Sequence, residues 1–152
     1  MSKTRKTWRE KLETGQEPKV VNDPRGRGKM LIPRPLDVDA VMRRVEKGRL
    51  VTVDQIRKHL AKDFHADLTC PLCTGIFLRI AAETAEEDFS QGVTKITPYW
   101  RVVKPDGSLN EKFPGSVDAQ AVHLREEGHT IEPGKGKKPP KVKDFEKSLV
   151  GI

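Results

Sequence analysis

Apolar residues recur at helical spacing in four stretches of this chain. Residues 37–47 place Val41 and Met42 on one side, with Asp37 or Asp39 able to cap the start and Gly48 closing the end. After the short extended link Leu50-Val51, Thr52-Val53-Asp54-Gln55 fits a capping box. It opens a helix over 53–62 that turns Val53, Ile56 and Leu60 inward. A connector over 63–68 leads to Thr69-Cys70-Pro71-Leu72-Cys73, where Pro71 suits a first helical turn capped by Thr69 or Cys70. That helix is expected to run to about residue 88, with Cys73, Ile76, Phe77, Ile80 and Ala81 as its buried stripe. Its last turn carries Glu86, Glu87 and Asp88, the end of the macrodipole that disfavours acids. Residues 93–104 read as an extended segment broken by Pro98, and Asp106-Gly107 and Pro114-Gly115 are turn signals. Ser116 can cap a fourth helix through residue 127, with Val117, Ala121 and Leu124 buried. Gly128 ends it, and His129-Thr130-Ile131 form a last short strand or wing. The pattern predicts a mainly α domain with a few short strands, and the helices over 53–62 and 71–88 make a helix-turn-helix candidate.

The two ends lack such periodicity. At 152 residues the chain has room for one domain, yet only 35% is hydrophobic, 34% is charged, and Gly and Pro together number 23. A folded middle over 37–132, between a basic, largely flexible N-terminal arm over 1–36 and a Lys/Pro/Gly-rich tail over 133–152, accounts for that mixture. Within the first arm, Trp8 and Leu12 share a turn of a short helix, Met30-Leu31-Ile32 are apolar enough to dock, and Pro33 and Pro35 break regular structure. The formal net charge of +7 is carried by the ends: residues 1–34 contribute +6 and 134–152 contribute +4, whereas 35–133 is at −3. Basic arms beside a small domain imply salt-sensitive attraction to phosphates. No window approaches the roughly 18 consecutive apolar residues of a membrane span, and no apolar signal segment follows Met1-Ser2-Lys3. With two cysteines, neither a disulfide scaffold nor a complete four-ligand zinc site is expected, and the default compartment is a reducing cytoplasm.

Three sets of residues carry candidate chemistry. Cys70-Pro71-Leu72-Cys73 puts a thiol at a helix N-terminus, where the dipole favours the thiolate, so Cys70 is a candidate for redox or nucleophilic use. The alternative is one buried cysteine and one facing a ligand, and as half a metal site the pair has no recognisable partners. His65 and Asp67, just ahead of the third helix, could activate water, or could be a surface histidine and a capping acid. Tyr99 and Trp100 could stack a base or belong to the core.

Pro98-Tyr99-Trp100-Arg101-Val102-Val103, then Asp106-Gly107-Ser108-Leu109, Gln120 and Leu124-Arg125-Glu126-Glu127-Gly128, resemble the C-terminal domain of alkylguanine-DNA alkyltransferases and alkyltransferase-like proteins. Residues 48–60 resemble that family's first helix-turn-helix arm, and Thr74-Gly75-Ile76-Phe77-Leu78-Arg79 its recognition helix. In the family's Pro-Cys-His-Arg-Val motif, Tyr99 takes the place of the cysteine and Trp100 that of the histidine, while Glu127 matches the supporting glutamate. A phenol with a pKa of about 10 does not replace a base-activated thiolate, and an indole relays no proton. Leu72 stands where the family has an intercalating arginine, and Val53 where it has a backbone-rotating tyrosine.

The resemblance implies a winged-helix-like, helix-turn-helix DNA-binding domain of the alkyltransferase type. The expected function is non-covalent binding of double-stranded DNA at damaged or modified bases in a repair context, by a cytoplasmic monomer that needs no cofactor or metal and acts with other repair proteins. Thr52, Leu72, Cys73, Thr74, Gly75 and Arg79 are expected at the DNA, with Leu72 as an apolar wedge. Tyr99, Trp100, Arg101 and Glu127 are expected around a base pocket, Arg101 pairing with an acid beneath it. The runners-up are a DNA glycosylase using Asp67 or His65, and a redox or interaction module built on Cys70.

Overall fold

The computed structural model describes residues 7–152. Its elements run α1 (Trp8–Glu13), β1 (Lys19–Asn22), β2 (Lys29–Ile32), α2 (Pro35–Arg43), β3 (Val51–Thr52), α3 (Val53–Asp63), β4 (Leu68–Thr69), α4 (Pro71–Ser90), a 3-10 turn (Tyr99–Arg101), β5 (Val102–Val103), α5 (Ser116–Glu126), β6 (Ile131–Glu132), β7 (Lys141–Val142) and a second 3-10 turn (Phe145–Ser148). The strands are short and pair in three small sheets. β2 lies antiparallel to β1 and parallel to β4, β3 is parallel to β5, and β6 is antiparallel to β7. No helix among the described residues is long and apolar enough to cross a membrane.

Local chemistry sets several boundaries. At α3 the capping box closes reciprocally: Gln55 N donates to Thr52 Oγ1 at 3.1 Å and Thr52 N donates to Gln55 Oε1 at 3.0 Å. α2 begins two residues earlier than the sequence suggests. Pro35 starts the helix instead of breaking the chain, and the backbone amide of Arg34 donates to the Asp37 carboxylate. Cys70 is the N-cap of α4, its sulfur accepting from Cys73 N at 3.3 Å. At α5 the expected Ser116 cap is absent, because Gly115 takes the left-handed conformation at the N-cap. Its C-terminus closes as a Schellman motif, with Gly128 N donating to Arg125 O and His129 N to Leu124 O.

The main core gathers Leu31, Val38, Met42, Ile56, Leu78 and Ala82 around α4, while Leu50, Val103, Leu109, Leu124, Val142 and Phe145 form a second cluster. Trp100 packs against both. Two expectations need correction here. First, of the stripe expected on α4 only Ala81 is fully buried. Thr74, Leu78, Ala81, Ala82 and Ala85 face inward, whereas Ile76 is exposed and Cys73, Phe77 and Ile80 are only partly covered. The face is turned because α4 is gripped by both α1 and α2, and alanines permit that close approach.

Second, the described part of the N-terminal arm and the C-terminal tail are packed, not loose. Leu12 of α1 is 1% exposed, Leu31 is fully buried in the β1–β2–β4 sheet, and Val142 and Phe145 sit in the second cluster. Each such side chain contributes roughly 1.5–3 kcal/mol of apolar burial. The acids at the end of α4 find partners where α1 packs on it. The Glu87 carboxylate accepts from the backbone amides of Trp8 and Arg9, and Asp88 pairs with Arg9. A helix C-terminus that repels acids thus holds them at the N-terminus of another helix, which attracts them.

Candidate nucleic-acid interface

α4 presents its N-terminal half to a groove of about 560 Å³, whose opposite wall is the loop over 104–112. Leu72, in the first turn, is 73% exposed, and Ile76, one turn on, is 51% exposed. Gly75 lies between them with open space where a side chain would stand. Val53, at the start of α3, lines one end. Arg79, Lys104 and Lys112 supply positive charge. Arg79 lies 4.0 Å from Glu83 and Lys104 lies 3.9 Å from Glu111, so neither cation is tightly held. An exposed apolar ridge between cations is suited to a ligand with charged edges and an apolar stack.

The structure divides the residues expected at this face. Leu72, Gly75 and Arg79 line the groove, and Cys73 is half-buried behind them. Thr52 and Thr74 do not present their hydroxyls. Thr52 is buried as the α3 cap, and the fully buried Thr74 donates its hydroxyl to Cys70 O at 2.8 Å. Burial, followed by the hydrogen bond to the Cys70 sulfur, pushes the Cys73 thiol up to about 11. Among the described residues, no group of three or more acidic, histidine or cysteine side chains is arranged to hold a metal ion.

Tyr99, Trp100, Arg101 and Glu127 do come together. The Trp100 indole donates to Glu127 Oε2 at 2.9 Å, and Arg101 donates to both carboxylate oxygens and to Val45 O. Burial alone would raise the Glu127 carboxyl, but Arg101, the indole and the Gly48 amide outweigh it and hold it below its ordinary value. Trp100 stacks on His123 at 4.1 Å between ring centroids. Tyr99 is 1% exposed, with Trp100, Phe113 and His123 ranged edge-on around its ring. Its hydroxyl donates to Glu86 Oε1 at 2.6 Å. Burial, then that hydrogen bond, drives the phenol pKa far above its ordinary value, so Tyr99 stays neutral. The space beside Tyr99 is therefore filled by the protein's own side chains.

Asp67 and His65 stand apart from this cluster. The Asp67 carboxylate accepts from Lys29 N at 2.7 Å and lies beside Gly28, where a Cβ would collide with it. His65 is exposed and has a positive φ at the turn after α3. Sequence reasoning missed both Glu86 and His123 as partners of this aromatic pair. The acidic C-terminus of α4, unfavourable on its own, was the available sign that its carboxylates have partners. Gln120 anchors the neighbourhood: fully buried, it donates to Trp100 O and Val102 O and accepts from Asn110 N, fixing the loop that forms the far wall of the groove.

No protein-family model matches the sequence, and no curated protein matches it. The architecture is nevertheless the alkyltransferase-like fold, mainly helical with short strands. The solved structure that shows this is S. pombe Atl1 in complex with damaged DNA containing O6-carboxymethylguanine. It matches with a TM-score of 0.50 at 14% identity, over 78% of this chain and 94% of that one. At such identity the likeness is one of fold.

Proposed function

We propose that this protein binds double-stranded DNA non-covalently at damaged or modified bases, as part of repair, using the groove between α4 and the 104–112 loop. The observation that carries the reading is the exposure of Leu72 and Ile76 beside Arg79, Lys104 and Lys112, on a fold whose S. pombe representative was solved with damaged DNA. α4 enters the minor groove, the cations meet the flanking phosphates, and Leu72 wedges into the base stack. A wedge discriminates damage because a lesion weakens stacking and lowers the energy needed to open the step. No bond is made to DNA: Tyr99 holds the position of the family's nucleophile as a buried phenol bound to Glu86. Glycosidic hydrolysis by Asp67 gains no support from its engagement with the Lys29 amide.

The test titrates labelled duplexes, each with one modified base or none, with wild type and with Leu72→Ala, which alters an exposed side chain and leaves the core intact. Wild type binds the modified duplex more tightly and releases no base after alkaline treatment. Leu72→Ala lowers that affinity roughly ten-fold, which corresponds to losing about 1.4 kcal/mol of wedge packing. Equal affinity of both proteins for every duplex overturns the reading, and base release replaces it with an excision enzyme.

A further inference from the structure

The loop over 133–140 that joins β6 to β7 carries Lys135, Lys137 and Lys138, and Lys141 follows on β7. The loop is folded back on itself. Lys138 N donates to Lys135 O at 3.1 Å, and the chain crosses so close to Gly134 that a Cβ there would overlap the Lys138 carbonyl. All four lysines are exposed, and none forms an ion pair among the described residues.

This hairpin is stitched to the outer side of the loop that walls the α4 groove. Leu109 N donates to Pro140 O at 2.9 Å, Val142 N to Gly107 O at 3.0 Å, and Ser108 bridges to Lys141. Phe145 locks the junction by packing on Gly107, whose positive φ and missing side chain make room for the ring. The wall therefore has Lys104 and Lys112, with Glu111 between them in sequence, on its groove side. Lys135, Lys138 and Lys141 lie along a cleft on its other side that Asp106 and Glu132 also line, so the cations outnumber the acids on both sides.

We infer that the 131–142 hairpin is a phosphate clamp, continuing the basic track of Lys104 and Lys112 along the backbone of a duplex seated in the groove. The inference rests on the reading that DNA occupies that groove. Its contribution is independent of sequence and of damage, because phosphates carry neither. Each lysine that reaches a phosphate releases a counterion, which makes the clamp visible in the salt dependence of binding.

The experiment measures affinity for one undamaged and one modified duplex across a salt series, using the full chain. The proteins are wild type, Lys135→Gln/Lys137→Gln/Lys138→Gln, the same three positions changed to Arg, and Leu72→Ala. Neutralising three phosphate-binding lysines lowers the slope of log K against log salt by roughly 2.7. The difference between wild type and the Gln variant then shrinks about 40-fold between about 50 and 200 mM salt, equally on both duplexes. The Arg variant keeps the wild-type slope. An unchanged slope in the Gln variant, with Leu72→Ala still weakening binding, overturns the clamp and leaves the groove reading standing. Failure of wild type to bind any duplex overturns both.

Discussion

Both ends of this chain are basic on paper, yet they use that charge differently in the fold. In the N-terminal segment, Arg9 pairs with Asp88 and Glu13, Arg27 with Asp23 at 2.6 Å, and Arg34 with Asp37 at 2.9 Å. Lys11 lies 4.2 Å from the Trp8 ring centroid, over its face. Those cations are tied into the structure, whereas Lys19, Arg25 and Lys29 of the same segment form no ion pair among the described residues. In the C-terminal hairpin, Lys135, Lys137, Lys138 and Lys141 have no ion-pair partner among the described residues, and Val142 and Phe145 do the anchoring. Net charge says how much phosphate attraction a segment could offer, but only the placement of acids says how much is left to offer.

The contrast can be broken most sharply at the apolar anchors. Phe145→Ala removes the ring on Gly107 and is expected to cost about 3–4 kcal/mol in urea unfolding, with a shallower salt dependence of DNA binding as the hairpin comes loose. Leu12→Ala, on a six-residue helix that partly collapses into the space, is expected to cost about 2–3 kcal/mol and to leave the salt slope untouched. A changed slope in Leu12→Ala would erase the distinction. A smaller effect follows from pH. The hydrogen bond from Arg27, working against some desolvation, holds the Asp23 carboxyl down at about 2. The contribution of that pair is therefore complete above the unfolded value of about 3.9 and is lost as pH falls through about 2. The protection of the Arg27 amide, whose N–H donates to Asp23 at 3.0 Å, should fall over that window relative to the intrinsic exchange rate at each pH, and the pH step should be lost in Asp23→Asn. The smallest expected effect is on the stability of Lys135→Gln/Lys137→Gln/Lys138→Gln, unchanged within about 0.5 kcal/mol because these side chains bear on nothing folded.

What could be read in the sequence depended on how far away the partner lay. Thr52 and Gln55 were legible as a cap because both halves of the interaction lie within one turn. Gly128 was legible as a helix stop for the same reason. The inward face of α4 was misjudged because one of its packing partners is α1, in a segment whose Gly, Pro and charge content suggested no fixed position. Tyr99 and Trp100 could be located from the Pro-x-x-Arg-Val pattern. Glu127 was legible beside them, but the rest of their surroundings was not, since Glu86, Phe113 and His123 come from three other parts of the chain. The lysines of the hairpin were legible as charge, but their anchorage was not, because it depends on Val142 and Phe145 finding Leu109 and Gly107 across the fold.

One pairing on α4 has a practical use. The Arg79 guanidinium, which lines the groove, lies 5.7 Å from the ring centroid of Trp8. The chain has only two tryptophans, and the other is hydrogen-bonded to Glu127 and stacked on His123. A phosphate that draws Arg79 toward it changes the charge over the Trp8 indole and hence its emission. The unlabelled protein therefore carries its own optical gauge of groove occupancy, and Trp8→Phe removes the signal without touching the groove wall.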